Sequence, residues 1–154
     1  MSTYMTEARK IHDKAIFEFE HGKKYGNDLE IRDGAEKAWL ATINAINAFL
    51  LSRGDEPPVG REAHQIRNEK LLEYARDDPR VENLFYIVTA IKDVLHGRCF
   101  YYGFCTPIES IEDMIKNKVK KIIKEVYEFL CYYISLENRF FMLYIIYLKI
   151  TQRR

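Results

Sequence analysis

Metal-ligand motifs are missing from this sequence. Its three cysteines, Cys99, Cys105 and Cys131, form no Cys-x-x-Cys pair and have no interleaved histidines at zinc-ligand spacing. In a chain of 154 residues, long enough to bury about 68% of its unfolded surface, neither a disulfide nor a structural metal is required for stability, and the cysteines read as intracellular thiols. No HExxH, P-loop or GxGxxG pattern occurs, which excludes the recognisable zinc hydrolases and NTPases; no cofactor is implied. Charge of one sign is lacking too: 24 basic residues face 23 acidic ones. That balance argues against a polyanion binder working by bulk charge and leaves only a local patch. Met1 to Lys10 contains no apolar core of a secretory leader, so the expected compartment is the cytoplasm. The longest uncharged apolar run, Phe140 to Leu148, is about half of the ~20 residues that a membrane span needs.

No stretch alternates apolar and polar residues between turn signals, and apolar residues recur at helical spacing almost everywhere. The expected fold class is all-α. Thr6 is a candidate N-cap for a first helix with Ala8, Ile11, Ala15, Ile16 and Phe19 on one face and His12 within that stripe, interrupted by Gly22 and Gly26. Asn27 and Glu30 have capping-box spacing, with Asp28 as an alternative cap, for a long second helix to about Leu51. Its wide apolar face marks it as the central helix. Arg53 to Gly60, with Gly54, Pro57, Pro58 and Gly60, reads as a loop, and Arg61 to Arg76 as a weakly amphipathic peripheral helix. Asp78-Pro79 starts a helix expected to run to about Leu95 and to end at Gly97. Thr106-Pro107-Ile108-Glu109 combines a Thr cap, Pro at the first position and Glu at the third, opening a long final helix. Unbroken to Ile150 it would measure about 66 Å at ~1.5 Å per residue, so a break is expected over 135–138. This divides the chain into a bundle over 1–135 and an apolar helical segment over 136–154 that is not a separate domain.

Three constellations could carry function. The lysines 116, 118, 120, 121 and 124 of the final helix could track phosphates, but a charge run opposite an apolar stripe is the ordinary solvated face of an amphipathic helix. In the connection after the fourth helix, His96, Arg98, Phe100, Tyr101 and Tyr102 gather aromatic rings beside one cation and one imidazole. Aromatic faces stack on bases, Arg pairs with phosphate and His transfers protons near neutral pH, which makes this the best candidate binding site. The alternative is an aromatic plug closing the end of the bundle. Glu36, Lys37 and Trp39 form a second group that could line a pocket or simply make helix contacts. If helical, Phe140 to Leu148 is apolar all round and calls for burial in the monomer or against a second copy, while few flanking cations and the lack of a polar face disfavour peripheral membrane attachment.

The stretch Glu20-His21-Gly22-Lys23-Lys24 followed by Ala35-Glu36-Lys37-Ala38-Trp39-Leu40-Ala41, with Leu95-His96-Gly97-Arg98 and Phe100-Tyr101 later, resembles the archaeal PaREP family, which looks like a branch of the HEPN helical-bundle superfamily. The likeness covers roughly residues 5 to 130. It implies an up-and-down antiparallel bundle of four to five helices that often dimerises. Many HEPN relatives are metal-independent ribonucleases with a His four to six residues after an Arg. Here Arg9 and His12 are too close, Arg61 and His64 are too close, and His96 precedes Arg98, so the pattern argues against that activity. Other HEPN domains bind nucleotides or pair with a small nucleotidyltransferase. Abundant Ile, Lys and Tyr with few Gln is a thermophile-like composition. The expected function is a non-catalytic nucleotide- or RNA-binding or protein-interaction module, acting as a homodimer. The rivals are a nucleic-acid enzyme using His96 as acid or base with Arg98, and a scaffold whose apolar tail docks a partner.

Overall fold

A computed structural model describes residues 3–132 and 135. All regular structure among the described residues is helical, and none of it is strand. Helix α1 spans Thr3–Tyr25, α2 Asp28–Ser52 and α3 Ala63–Ala75. Helix α4, Pro79–Ile91, continues without a break as a wide, π-type segment over Lys92–Tyr101. The last helix, α5, opens over Ile108–Asp113, widens to π-type geometry over Met114–Lys118 and is α-helical again over 119–132. No described helix is long and apolar enough to cross a membrane. The expected break over 135–138 lies almost wholly outside the described residues, as does the apolar segment Phe140 to Leu148.

Two of the sequence's start signals act as N-caps, although the Asn27–Glu30 box is not closed: the Asn27 N–H donates to the Gly22 carbonyl at 2.8 Å and the Glu30 carboxylate pairs with His21. Asn27, in extended conformation, accepts from the backbone N–H groups of Leu29 and Glu30, satisfying two of the donors a helix start leaves unpaired. Asp28 is therefore the first residue of α2 and not its cap. Asp78 likewise accepts from Arg80 N at 2.9 Å, with Pro79 at the first helical position.

Elsewhere the boundaries differ from expectation. Thr6 is inside α1, which begins at Thr3, and Gly22 does not interrupt it, because that buried glycine is where α2 approaches most closely. Gly97 does not end the fourth helix; the turn of reversed handedness falls at Gly103, φ 72°, six residues later. Thr106 makes no cap bond to α5. Pro107 (φ −67°, ψ 143°) is extended and is itself the residue before the helix, so the start shifts by one and the Thr-Pro-x-Glu signature is not used as a capping box.

α1 and α2 form an antiparallel hairpin. Gly22 lies against Ile31, Phe19 against Gly34 and Glu18 against Lys37, so that stepping back along α1 steps forward along α2. α5 runs antiparallel to α1 as well: Lys23 pairs with Glu112, Glu20 with Lys116, and Arg9 lies over the Tyr127 ring. α2 is the central helix, with 13 buried residues from Ile31 to Leu50. One continuous apolar core takes residues from all five helices, including Phe19, Phe49, Leu71, Leu84, Leu95 and Ile122. His12 belongs to this interior at 6% exposure, and its Nε2 donates to the carbonyl oxygen of Ile115 at 2.7 Å, inside the π-type part of α5. α3 is peripheral, with only Ala63 and Leu71 buried.

Candidate functional site

The two groups of candidate residues, 60 positions apart in the sequence, meet in the fold. Glu36 on α2 and His96 on the wide segment of α4 are joined by a 2.6 Å bond between Oε2 and Nδ1. A carboxylate oxygen accepts, so Nδ1 carries the donated proton, and in the neutral imidazole Nε2 is left as the acceptor. Trp39, one turn beyond Glu36, places its ring 5.8 Å from His96. A third ring, missed in the sequence, completes the group: His64 of α3 lies 5.7 Å from Trp39 and 5.6 Å from His96. Phe100 stacks on His96 at 6.1 Å, and Tyr101 meets it edge-on at 4.8 Å.

The π-type geometry carries His96, Phe100 and Tyr101 on one element, and wide turns of this kind are frequent at functional sites. Its end is held twice. Arg32 donates to the Phe100 carbonyl through Nε at 2.9 Å and Nη2 at 2.5 Å. Cys99 and Cys105 form a disulfide across six positions, closing a loop that contains Phe100 to Phe104. This corrects the reading of these two cysteines as free thiols: the chain reverses at Gly103 and returns Cys105 beside the buried Cys99, a pairing that the search for Cys-x-x-Cys spacing does not test. Cys131 is free and exposed.

Within the loop three aromatic side chains face solvent. Tyr101 is 64% exposed, Tyr102 74% and Phe104 64%, giving an apolar rim beside the Glu36–His96 pair. Arg98 is directed along this loop, 3.4 Å from the Thr106 carbonyl, and does not join the rings around Trp39. Lys37 stands apart, bound to Glu18 on α1 at 2.5 Å. Thus Glu36, Trp39, His96, Phe100 and Tyr101 converge, Arg98 and Tyr102 lie on the adjoining loop, and Lys37 belongs to the helix hairpin. Among the described residues no three His, Cys, Asp or Glu side chains gather as metal ligands.

Behind the rings is a small cavity of about 20 Å³, bordered by Trp39, His64, Arg67 and Lys92 with an apolar floor from Ile43 and Leu71. That is room for about one water molecule, not for a base. Trp39 Nε1 and His64 Nδ1 are buried there without a hydrogen-bond partner among the described residues. Arg67 is fixed by bonds to Asn47 Oδ1 at 2.8 Å and the Pro58 carbonyl at 3.0 Å. Burial pushes the His64 imidazole below its ordinary pKa, and the nearby Arg67, His96 and Lys92 add to the effect. The unfolded chain therefore binds a proton at His64 more readily than the folded one. The stability this position contributes is complete above the ordinary value of 6.5 and is lost as pH falls through the lower folded value. Urea midpoints measured down the pH scale should fall more steeply for wild type than for His64→Gln once the pH drops below 6.5; parallel curves would remove the effect.

Four of the five lysines of the run make ion pairs, those of Lys118, Lys121 and Lys124 only at long, solvent-exposed contacts. Lys116 is bound to Glu20 and Glu112, Lys118 lies 3.8 Å from Asp113, Lys121 3.6 Å from Glu125 and Lys124 3.7 Å from Glu128. It is a surface laced with ion pairs, not a bare cationic track. No family model, curated protein or solved structure matches the chain.

Proposed function

We propose that this protein is a non-catalytic nucleotide- or RNA-binding module in which the rim Tyr101, Tyr102 and Phe104 stacks on bases while Arg98 meets phosphate. The observation that carries the reading is the exposure of three aromatic rings within four residues, on a loop fixed by a disulfide and by Arg32. Exposed rings on a fixed support offer a stacking surface at little entropic cost. The cavity behind Trp39 is too small to take a base, so ligand sits on the rim and only its polar edge reaches the Glu36–His96 pair. Homodimerisation, a nucleotidyltransferase partner and a place among PaREP or HEPN-like bundles extend the same proposal, as does a cytoplasmic setting of thermophilic kind, the one in which a disulfide such as Cys99–Cys105 persists inside cells. Titrating a fluorescein-labelled oligouridylate and AMP tests it. Tyr102→Ala and Tyr101→Ala should each weaken binding on the order of tenfold, as base–aromatic stacking of ~1–3 kcal/mol requires, with salt dependence from Arg98. Equal affinity in wild type and Tyr101→Ala/Tyr102→Ala would overturn it.

A second reading is favoured by one observation, the 2.6 Å bond that orients His96, with a second imidazole 5.6 Å away. Such a pair suits acid–base cleavage of RNA. In that case His96→Ala abolishes cleavage but leaves oligouridylate binding within about twofold, whereas cleavage unchanged in His96→Ala excludes it.

A further inference from the structure

Between α1 and α5 lies a groove of about 380 Å³ that shares no lining residue with the aromatic rim. Its walls are Arg9, His12, Asp13 and Ile16 from one helix and Lys120, Ile123, Lys124 and Tyr127 from the other. From these residues we infer that the groove binds a small organic phosphomonoester with a compact apolar body.

Charge comes first. Of the five lysines 116 to 124, Lys120 alone makes no ion pair among the described residues, and it faces this groove. Lys124 has only a 3.7 Å contact to Glu128 between side chains 75% and 63% exposed, which leaves most of its field available. Arg9 lies 4.8 Å above the Tyr127 ring. Stacking on an aromatic face fixes the plane of a guanidinium without consuming its five donors, so Arg9 is prepared for two-point contact with phosphate oxygens. Against these three cations the groove wall sets one carboxylate, Asp13.

The lower part of the groove is apolar. Ile123 is 7% exposed, Ile16 is half-buried against the core, and the Tyr127 ring closes one side. Cations above an apolar floor select a ligand with an anionic head and a compact hydrophobic body over a bare ion. His12, buried at the base of the groove, ties α1 to α5 by its 2.7 Å bond to the Ile115 carbonyl. The groove stands apart from the Trp39 cluster, so the inference does not rest on the proposed function.

Phenyl phosphate is the probe, followed on the full chain by backbone-amide NMR titration with inorganic phosphate and phenol as comparators. The expected result is saturable binding near or below ~1 mM, with shifts confined to 9–16 and 120–127, and at least about tenfold weaker binding of either comparator. Arg9→Gln/Lys120→Gln should weaken phenyl phosphate about tenfold while its amide spectrum stays folded; if that pair of changes perturbs the fold, Lys120→Gln alone should still weaken it severalfold. No saturation, equal affinity for inorganic phosphate, unchanged affinity in the variants, or shifts centred on 96–104 would each overturn the inference.

Discussion

Gly34→Ala should lower the melting temperature by about 4–8 °C, even though it replaces the second-poorest helix former with the best. A Cβ at Gly34 would stand 2.8 Å from the backbone nitrogen of Phe19, 2.9 Å from its Cβ and 3.0 Å from the Ala15 carbonyl oxygen. Two of those three atoms are main chain, so no side-chain rotation relieves the overlap and α1 itself must move. The helix-propensity gain is at most about 1 kcal/mol, while overpacking a close helix contact costs about 1–3 kcal/mol and more where backbone is displaced. The second term wins, for a net loss of about 2 kcal/mol. The neighbouring contact at Gly22, where a Cβ would lie 2.7 Å from Ile31 N, closes the same hairpin and offers no slack. Gly97→Ala is the control. There the nearest atom is 3.7 Å away, an ordinary contact, and the backbone is not left-handed. It should leave the melting temperature unchanged or raise it by a few degrees, as for a glycine inside a helix. Thermal unfolding followed by circular dichroism distinguishes the two; an unaltered transition in Gly34→Ala would refute the close approach of α1 and α2, and a large fall in Gly97→Ala would refute a helix running through that position.

The same pair of glycines shows which signals the sequence carries openly. A cap is a local event, one side chain meeting an amide two or three positions on, and Asn27 and Asp78 could be read without knowing anything else in the chain. A glycine is ambiguous because its two uses, reversed backbone and missing side chain, leave the same letter. Gly22 and Gly34 are there for the missing Cβ, and Gly103 for its φ of 72°. Expecting Gly97 to stop α4 assigned it the first use where the chain makes neither, and so left His96, Phe100 and Tyr101 in a connection when they sit on a continuous helix. Thr106-Pro107 misled in a similar way: every residue of the motif is present, but Pro107 is outside the helix, so the threonine is one position too early to serve.

At the candidate site, the residue types were legible and their meeting was not. The rings at 96–101 and the Glu36–Trp39 turn each stood out by composition, yet only tertiary packing joins them. His64 escaped because its helix has only two buried residues and a weak apolar stripe, so nothing local marks which face turns inward. The Cys99–Cys105 bond depends on the reversal at Gly103, which in turn depends on where α4 ends. One misplaced helix end thus hid both the disulfide and the surface that it holds.

The largest loss of stability should come from Phe49→Ala, at about 3–5 kcal/mol, a large part of the ~5–15 kcal/mol that holds a domain of this size together. Phe49 is fully buried near the carboxy-terminal end of α2, with Tyr74 of α3 edge-on at 5.7 Å and Phe129 of α5 at 5.4 Å. Truncation removes the ring from both contacts at once and leaves a cavity that three separate helices would have to close. A latch on the surface depends on the same ring. The Tyr74 hydroxyl donates to Asp55 Oδ2 at 2.6 Å, Asp55 meets Lys70 at 3.1 Å, and Arg53 lies over both Phe49 and Tyr74. Burial, and then the bond to Asp55, push the Tyr74 phenol up to about 12, while the bond from Tyr74 holds Asp55 below the usual carboxylate range. In Phe49→Ala the Tyr74 ring gains solvent, so its phenolate absorbance should appear at lower pH than in wild type while the protein is still folded. Phe49→Leu keeps most of the volume and should cost no more than about 1.5 kcal/mol, with the Tyr74 titration little changed. Trp39 precedes Phe49 by ten positions, about 15 Å along α2, so Phe49→Leu should bind oligouridylate as wild type does. Urea unfolding that gave equal costs for Ala and Leu would show that Phe49 does not fill the junction of α2, α3 and α5.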